Sequence, residues 1–284
     1  NLLFTRNHPG IVMVNEVPGF EVFREDADHV YIRVGAGMLW HDLVVHCVNE
    51  GLGGIENLSL IPGKVGAAPM QNIGAYGVEL QEVFHQLHAL ERESGEVKTF
   101  SNEQCQFGYR ESFFKRRGKD RYIILSVELR LSKNPTVNIS YGSIAEELES
   151  LGINEPDIRD VSRAVINIRQ SKLPDPDRIG NAGSFFKNPV VSNYQFEEIR
   201  SRHPDAVGYT ADFATTKLAA GWLIERAGWK GHRENDHGVH DRQALVLVNH
   251  GNAKGLDIYK LSEKIADSVL DEFGIELERE VNVF

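Results

Sequence analysis

The segment NAGSFFKNP, residues 181–189, sets the hydroxyl of Ser184 between a glycine and two phenylalanines. Gly183 permits a sharp backbone turn, and the two rings can exclude water from one side, so this hydroxyl suits proton donation to a strongly basic carbon. No G-x-S-x-G elbow surrounds it, which argues against a nucleophilic serine. A turn-forming serine is the plainer alternative. Arg110, in FGYRESFFK, offers a fixed fork of donors to a carboxylate or to developing negative charge, or else makes a structural ion pair. Arg169 and Lys172 lie three positions apart in INIRQSKLPDP, hence on one helical face, where they either clamp a phosphate or simply meet solvent. Glu278 and Glu280 alternate onto one face of an expected strand.

A second chemistry resides in backbone. Residues 59–80, SLIPGKVGAAPMQNIGAYGVEL, carry glycines at 63, 66, 74 and 77, prolines at 62 and 69, and three alanines. So many helix and strand breakers predict a long irregular loop, and glycine lets backbone N–H groups turn closely onto anionic oxygens such as a pyrophosphate. An inert connection packed by its own small side chains is the alternative. Neither G-x-G-x-x-G nor G-x-x-x-x-G-K-[ST] occurs, so a nucleotide would be held in a style other than a Rossmann turn or a P-loop. The histidine-rich run GHRENDHGVHD, residues 231–241, matches no metal-ligand spacing, and no metal site is expected there or elsewhere.

The elements that must position these residues read as α+β. GIVMVN (10–15), VYIRVGAG (30–37) and FHQLHALE (84–91) predict strands, LWHDLVVHCVNEGLGG (39–54) a helix with a glycine stop, RYIILSVELRLS (121–132) a strand and IRDVSRAVINIRQSKL (158–173) an amphipathic helix. Two prolines in LPDPDRIGN predict a domain boundary near Leu173. Beyond it, helices are expected over YQFEEIRSRH, TKLAAGWLIERAG and GLDIYKLSEKIADSVLDEFG, around the strand ALVLVN, with the tail IELEREVNVF a strand that rejoins the earlier domain. The chain has 284 residues, 41% of them hydrophobic, enough for two or three domains. A net charge of -10 argues against a nucleic-acid or anionic-membrane partner. Cys47 and Cys105 form no C-x-x-C pair, which fits a reducing cytoplasm. No apolar run approaches the roughly 18 residues of a membrane span.

In order along the chain, IPGKVGAAPMQNIGAYGVEL, FGYRESFFK, SKLPDP, NAGSFFKNP, KLAAGWLIERAGWKG, ALVLVN and LEREV resemble the UDP-N-acetylenolpyruvoylglucosamine reductase family. VGYTADF, ahead of KLAAGWLI, resembles the family's longer form, in which a loop closes over substrate. The resemblance implies the FAD-binding fold of the vanillyl-alcohol-oxidase/PCMH type plus a C-terminal α+β substrate-binding domain. Residues 1–18 would be the remnant of a first FAD-binding subdomain, 19–173 with 274–284 a second, and 174–273 the substrate-binding domain. It also implies that FAD-mediated, NADPH-dependent reduction turns UDP-N-acetylglucosamine enolpyruvate into UDP-N-acetylmuramate for peptidoglycan, carried out by a cytoplasmic monomer.

By positional match, Arg110 would stabilise enolate charge, Ser184 would donate the proton and Glu280 would lie opposite. Ile61, Pro62, Gly63, Gly66, Ala67, Ala68, Pro69, Gln71, Asn72, Gly74, Ala75, Tyr76 and Gly77 would line the cofactor. Tyr141, Arg169, Lys172, Asn188 and Gln243 would hold the substrate, with Tyr209 folding over it. Asn282 stands where the family pattern leads one to expect a basic residue. The chain opens at Asn1 without methionine, whereas family members carry a small βαβ unit ahead of NLLF, so the natural protein is expected to start earlier. Two rival readings are a flavin oxidoreductase of the same fold with another substrate, and an inactive or flavin-deficient fragment that binds UDP-sugar.

Overall fold

The computed structural model describes residues 1–284. The chain divides into two units, Met13–Ser171 and a second formed by Asn1–Val12 together with Lys172–Phe284. Helices and sheets occur in both, so the α+β class holds.

In the unit Met13–Ser171, an antiparallel sheet runs in the spatial order Phe20–Glu25, His29–Gly35, Tyr122–Ser132, Phe84–Glu91, Val97–Ser101. Strand alternation sorts its faces: Val30, Ile32 and Val34 stand opposite Leu131, Leu129 and Val127, and all six are buried. Arg33 and Glu128 pair on the other face, with Arg33 Nε donating to Glu128 at 2.8 Å. Onto the apolar face the helix Trp40–Asn49 lays Trp40, Leu43, Val44 and Cys47, the i, i+3, i+4, i+7 stripe of an amphipathic helix. The indole N–H of Trp40 donates to Leu58 O at 3.0 Å, so this buried ring leaves no polar group unpaired. Two further helices, Gly142–Ser150 and Ile158–Lys172, close a small core of their own through Ile144, Leu148, Val161, Ala164, Val165 and Ile168. Both thiols, Cys47 and Cys105, are buried and free.

The second unit carries an antiparallel sheet in the order Arg233–Glu234, His237–Val239, Val246–Asn249, Gly180–Ser184, with the helix Gly255–Phe273 packed on it. A separate three-stranded sheet orders Val190–Ser192, Thr215–Leu218 and Gly208–Thr210. Leu2–Leu3 pairs in parallel with Asn282–Val283.

Three expectations need correction. Residues 10–15 form no strand: Ile11, Val12, Met13 and Val14 are all more than 60% exposed and have no ladder partner, so β-propensity acts on nothing. Within the glycine-rich loop, Val65–Gln71 winds into a 3-10 helix with Pro69 inside it. Residues 216–218 belong to a strand, and the helix starts only at Ala220. By contacts the tail 274–284 groups with 172–273, to which its backbone bonds go: Lys187 N donates to Glu278 O and Glu280 N to Phe185 O, each at 2.9 Å. Residues 1–12 group there too, with Leu2–Leu3 pairing with the tail at 282–283.

Candidate active site

Consider the unit Met13–Ser171 first. The glycine-rich loop lies against the end of the strand His29–Gly35 with almost no clearance: a Cβ on Gly66 would stand 2.5 Å from the Cβ of Ala36. Gly66 N and Val65 N donate to Ala36 O and Met38 O, at 3.0 and 2.9 Å, which ties the loop to that edge. Farther on, Asn72 turns the chain in the left-handed region, φ 44°, and its amide donates to Glu79 at 2.8 Å and to Gly108 O at 3.1 Å while accepting from Gln81 N at 3.0 Å. Ser112 Oγ donates to Met70 O at 2.7 Å. These bonds fasten the loop to the turn 108–111, whose two ends exchange backbone bonds of 3.1 Å.

Arg110 sits in that turn at φ 54° and sends Nη2 back to Gly74 O at 2.7 Å. Its guanidinium also lies 5.4 Å from the centroid of Tyr109. The predicted cation is therefore anchored directly on the predicted cofactor loop. A second cation comes from the helix Ile158–Lys172: Arg169 Nε donates to Leu60 O at 3.2 Å, and its guanidinium meets the Tyr76 phenol. Burial pushes the Arg169 pKa down, with Tyr76 opposing that shift, and burial pushes the Tyr76 phenol up. Tyr141 completes the group, its ring edge-on to Tyr76 at 5.4 Å. His41 holds the loop's start, accepting from Leu60 N at 3.0 Å. Lys172 ends the same helix as Arg169 and is exposed.

In the second unit, Ser184 ends the strand Gly180–Ser184 directly after Gly183, whose φ of 76° is the sharp turn read from the sequence. Phe185 and Phe186 behind it are 1% exposed, so one wall beside Ser184 is dry. Phe185 O accepts from Glu280 N, which brings Glu280, itself 9% exposed, alongside the serine's own strand end. Lys187 is buried and paired with Glu278 at 2.6 Å.

Asn188 and Gln243 converge on one feature, the first turn of the helix Ala220–Arg226. Asn188 Oδ1 accepts from Ala220 N at 2.9 Å, and Gln243 Oε1 lies 3.1 Å from where a Cβ on Gly221 would stand. Tyr209 occupies the strand Gly208–Thr210 opposite Lys217 and is 43% exposed; Val190 is Lys217's other partner, so all three share one face. Lys217 was not singled out from the sequence, because only the hairpin register puts it beside Tyr209. Asn282 spends its amide on Asn1 O at 3.1 Å, a structural task.

Known families and proteins are similar to this chain. The family model "UDP-N-acetylenolpyruvoylglucosamine reductase, C-terminal domain" matches residues 175–284, and a "FAD binding domain" model matches residues 6–101. Curated proteins named UDP-N-acetylenolpyruvoylglucosamine reductase are similar over the whole chain. Those from Pseudomonas savastanoi pv. phaseolicola and Flavobacterium johnsoniae are 49% identical, and that from Pseudomonas aeruginosa is 50% identical, with 100% of this chain and 84% of each relative aligned. The solved structure of the reductase of that name from Thermus caldophilus aligns with a TM-score of 0.61 at 26% identity, covering 89% of this chain and 72% of its own.

Proposed function

Because the chain belongs to the UDP-N-acetylenolpyruvoylglucosamine reductase family, we propose that it reduces UDP-N-acetylglucosamine enolpyruvate to UDP-N-acetylmuramate with NADPH and FAD, a step of peptidoglycan precursor synthesis. The residues present fit the flavin. Gly63 takes φ 111° with no atom within 4 Å of a would-be Cβ, leaving the backbone of the glycine loop open to a ligand. The loop residues 61–77 would hold FAD, whose chemistry when bound is to carry hydride from NADPH to the vinyl methylene of the substrate. Residues 174–273 would cover the sugar nucleotide. Asn188, Gln243, Tyr209 and Lys172 would grip its diphosphate, and Tyr141 and Arg169 are further candidates for holding the nucleotide.

Hydride arrival at the methylene leaves negative charge on the adjacent carbon and its carboxylate. Arg110 neutralises the charge as it builds on the carboxylate. Ser184 Oγ gives its proton to that carbon, forming the new C–H bond while the oxygen keeps the electron pair. Glu280 stands at the same wall, placed to orient or reprotonate the donor. The observation that supports this reading most is the joint placement of Ser184 and Glu280 around Phe185 beside two buried rings, where a proton donor works with little water. The reading also puts the protein in the cytoplasm, as a monomer. No helix is long and apolar enough to cross a membrane.

The test separates the two half-reactions in a stopped-flow instrument. Ser184→Ala is expected to leave NADPH-driven bleaching of the flavin nearly intact and to slow recolouring by the enolpyruvyl sugar roughly a hundredfold or more. Equal loss in both phases rejects the proton-donor role.

A further inference from the structure

Asn57 is completely buried, yet one of its amide atoms, Oδ1, has no hydrogen-bond partner. A native fold rarely leaves a buried acceptor unmet, so something else holds this residue where it is. Its Nδ2 answers that: one hydrogen goes to Tyr76 O at 3.0 Å and the other to Asn138 O at 2.9 Å. Rotating the amide by half a turn would set an acceptor against two carbonyl oxygens, so the neighbours dictate its orientation.

Each carbonyl belongs to a segment that ends in a tyrosine of the site. Tyr76 is a non-glycine residue at φ 51°, a sparsely populated conformation that persists only when the surroundings enforce it. Asn138 opens the approach to Tyr141: its side chain donates to Gly77 O at 3.2 Å and accepts from Ser140 N and Ser140 Oγ at 3.1 and 2.7 Å. The two rings then meet edge-on, and the Tyr76 phenol reaches Arg169. One buried amide thus joins the loop expected to hold the flavin to the tyrosine and arginine expected to hold the sugar nucleotide.

We propose that Asn57 is the positioning residue of the substrate clamp, bridging Tyr76 and the 138–141 segment so that Tyr141 and Arg169 are set for the diphosphate of a uridine nucleotide. It touches neither ligand and acts through the two carbonyls. The assignment rests on the reading of the substrate as a UDP-sugar.

Its test uses the full-length chain and UDP as probe, followed by calorimetry. Asn57→Asp keeps the shape but cannot donate to both carbonyls, having one O–H when protonated and none when ionised; Asn57→Ala removes the group. Each is expected to weaken UDP about tenfold or more, the effect of two lost hydrogen bonds on a preformed site. In a double-mutant cycle with Tyr141→Ala, the second substitution should add little to the first. Additive losses, or an Asn57→Asp variant that binds UDP as tightly as the parent, overturn the proposal. Should both Asn57 variants fail to fold, Asn138→Ala removes the parallel bond from its side chain to Gly77 O, which joins the same two segments, and is expected to show a smaller loss with the same non-additivity; additivity there is equally fatal. If the parent chain does not bind UDP at all, the substrate reading fails, and the bridge is judged by ultraviolet titration of phenolate. With Tyr76→Phe marking the Tyr76 contribution, that phenol, which burial holds high, should titrate at lower pH in Asn57→Ala than in the parent, and an unmoved midpoint refutes the bridge.

Discussion

Gly74→Ala puts one methyl group where the structure leaves the least room around Arg110. The added Cβ would stand 2.9 Å from Glu79 Cγ, 3.0 Å from Val78 O and 3.2 Å from Arg110 Nη1. These three neighbours are not equally able to yield. Val78 O is backbone, in a two-stranded ladder that pairs Gly74 with Glu79 and Ala75 with Val78. The Glu79 carboxylate is held by Asn72 and Gln81, both at 2.8 Å. The guanidinium, at the end of a long side chain, is the cheapest part to move, and moving it breaks the 2.7 Å bond from Arg110 Nη2 to Gly74 O. Crowding of this size costs about 1–3 kcal/mol of stability, so the variant should still fold. Misplacement of a charge-stabilising group by about 1 Å costs roughly a hundredfold in rate. On the proposed role of Arg110 at the substrate's carboxylate, that loss should fall on flavin reoxidation by the enolpyruvyl sugar, with flavin reduction by NADPH and the visible flavin spectrum little changed. Rapid-mixing absorbance resolves the two phases. A variant that reoxidises at the parental rate would show that Gly74 does not set the position of Arg110, and one that loses flavin altogether would show that the methyl disturbs the cofactor loop instead.

Two further outcomes follow from geometry and titration. Gly221→Ala should raise the unfolding temperature slightly, since alanine is the better helix residue by about 1 kcal/mol, while weakening UDP severalfold by pressing on Gln243 Oε1 at 3.1 Å; a variant improved in both respects would detach Gln243 from the nucleotide. His41, His85 and His240 each have a pKa lowered chiefly by desolvation, so the unfolded chain takes up their protons first; the urea midpoint is therefore expected to drop as the pH falls below about 6.5, and an unchanged midpoint at a pH of about 5.5 contradicts this.

Much of this architecture is written locally. The helices at 40–49, 158–172 and 255–273 announce themselves by apolar spacing, and the strand at 122–132 by its β-branched run, because in each the burial face repeats with the element's own period. The errors share a cause. Residues 216–218 look like the start of KLAAGWLI's helix, yet Thr216 and Leu218 are buried and pair with 191 and 208, outside the window that a helical period reads. Residues 11–14 carry the strand's composition and lack the partner that would make them one. The tail's backbone bonds to 185 and 187 likewise follow no periodicity.

The site divides along the same line. Ser184, Arg110 and the glycine loop stand out because their neighbours in sequence, a glycine, a pair of phenylalanines, an aromatic turn, are odd in themselves. Asn57 has ordinary neighbours, in the stretch ENLS, and nothing in it signals a role. What distinguishes it is that one amide reaches residues 19 and 81 positions away and leaves its own oxygen unmatched. A buried polar group with an unmet atom costs stability, and a chain retains such a group most readily where its remaining bonds hold other groups in place. Candidates for chemistry are thus legible from residue type, whereas a candidate for aiming them becomes visible only once the distant carbonyls it binds have coordinates.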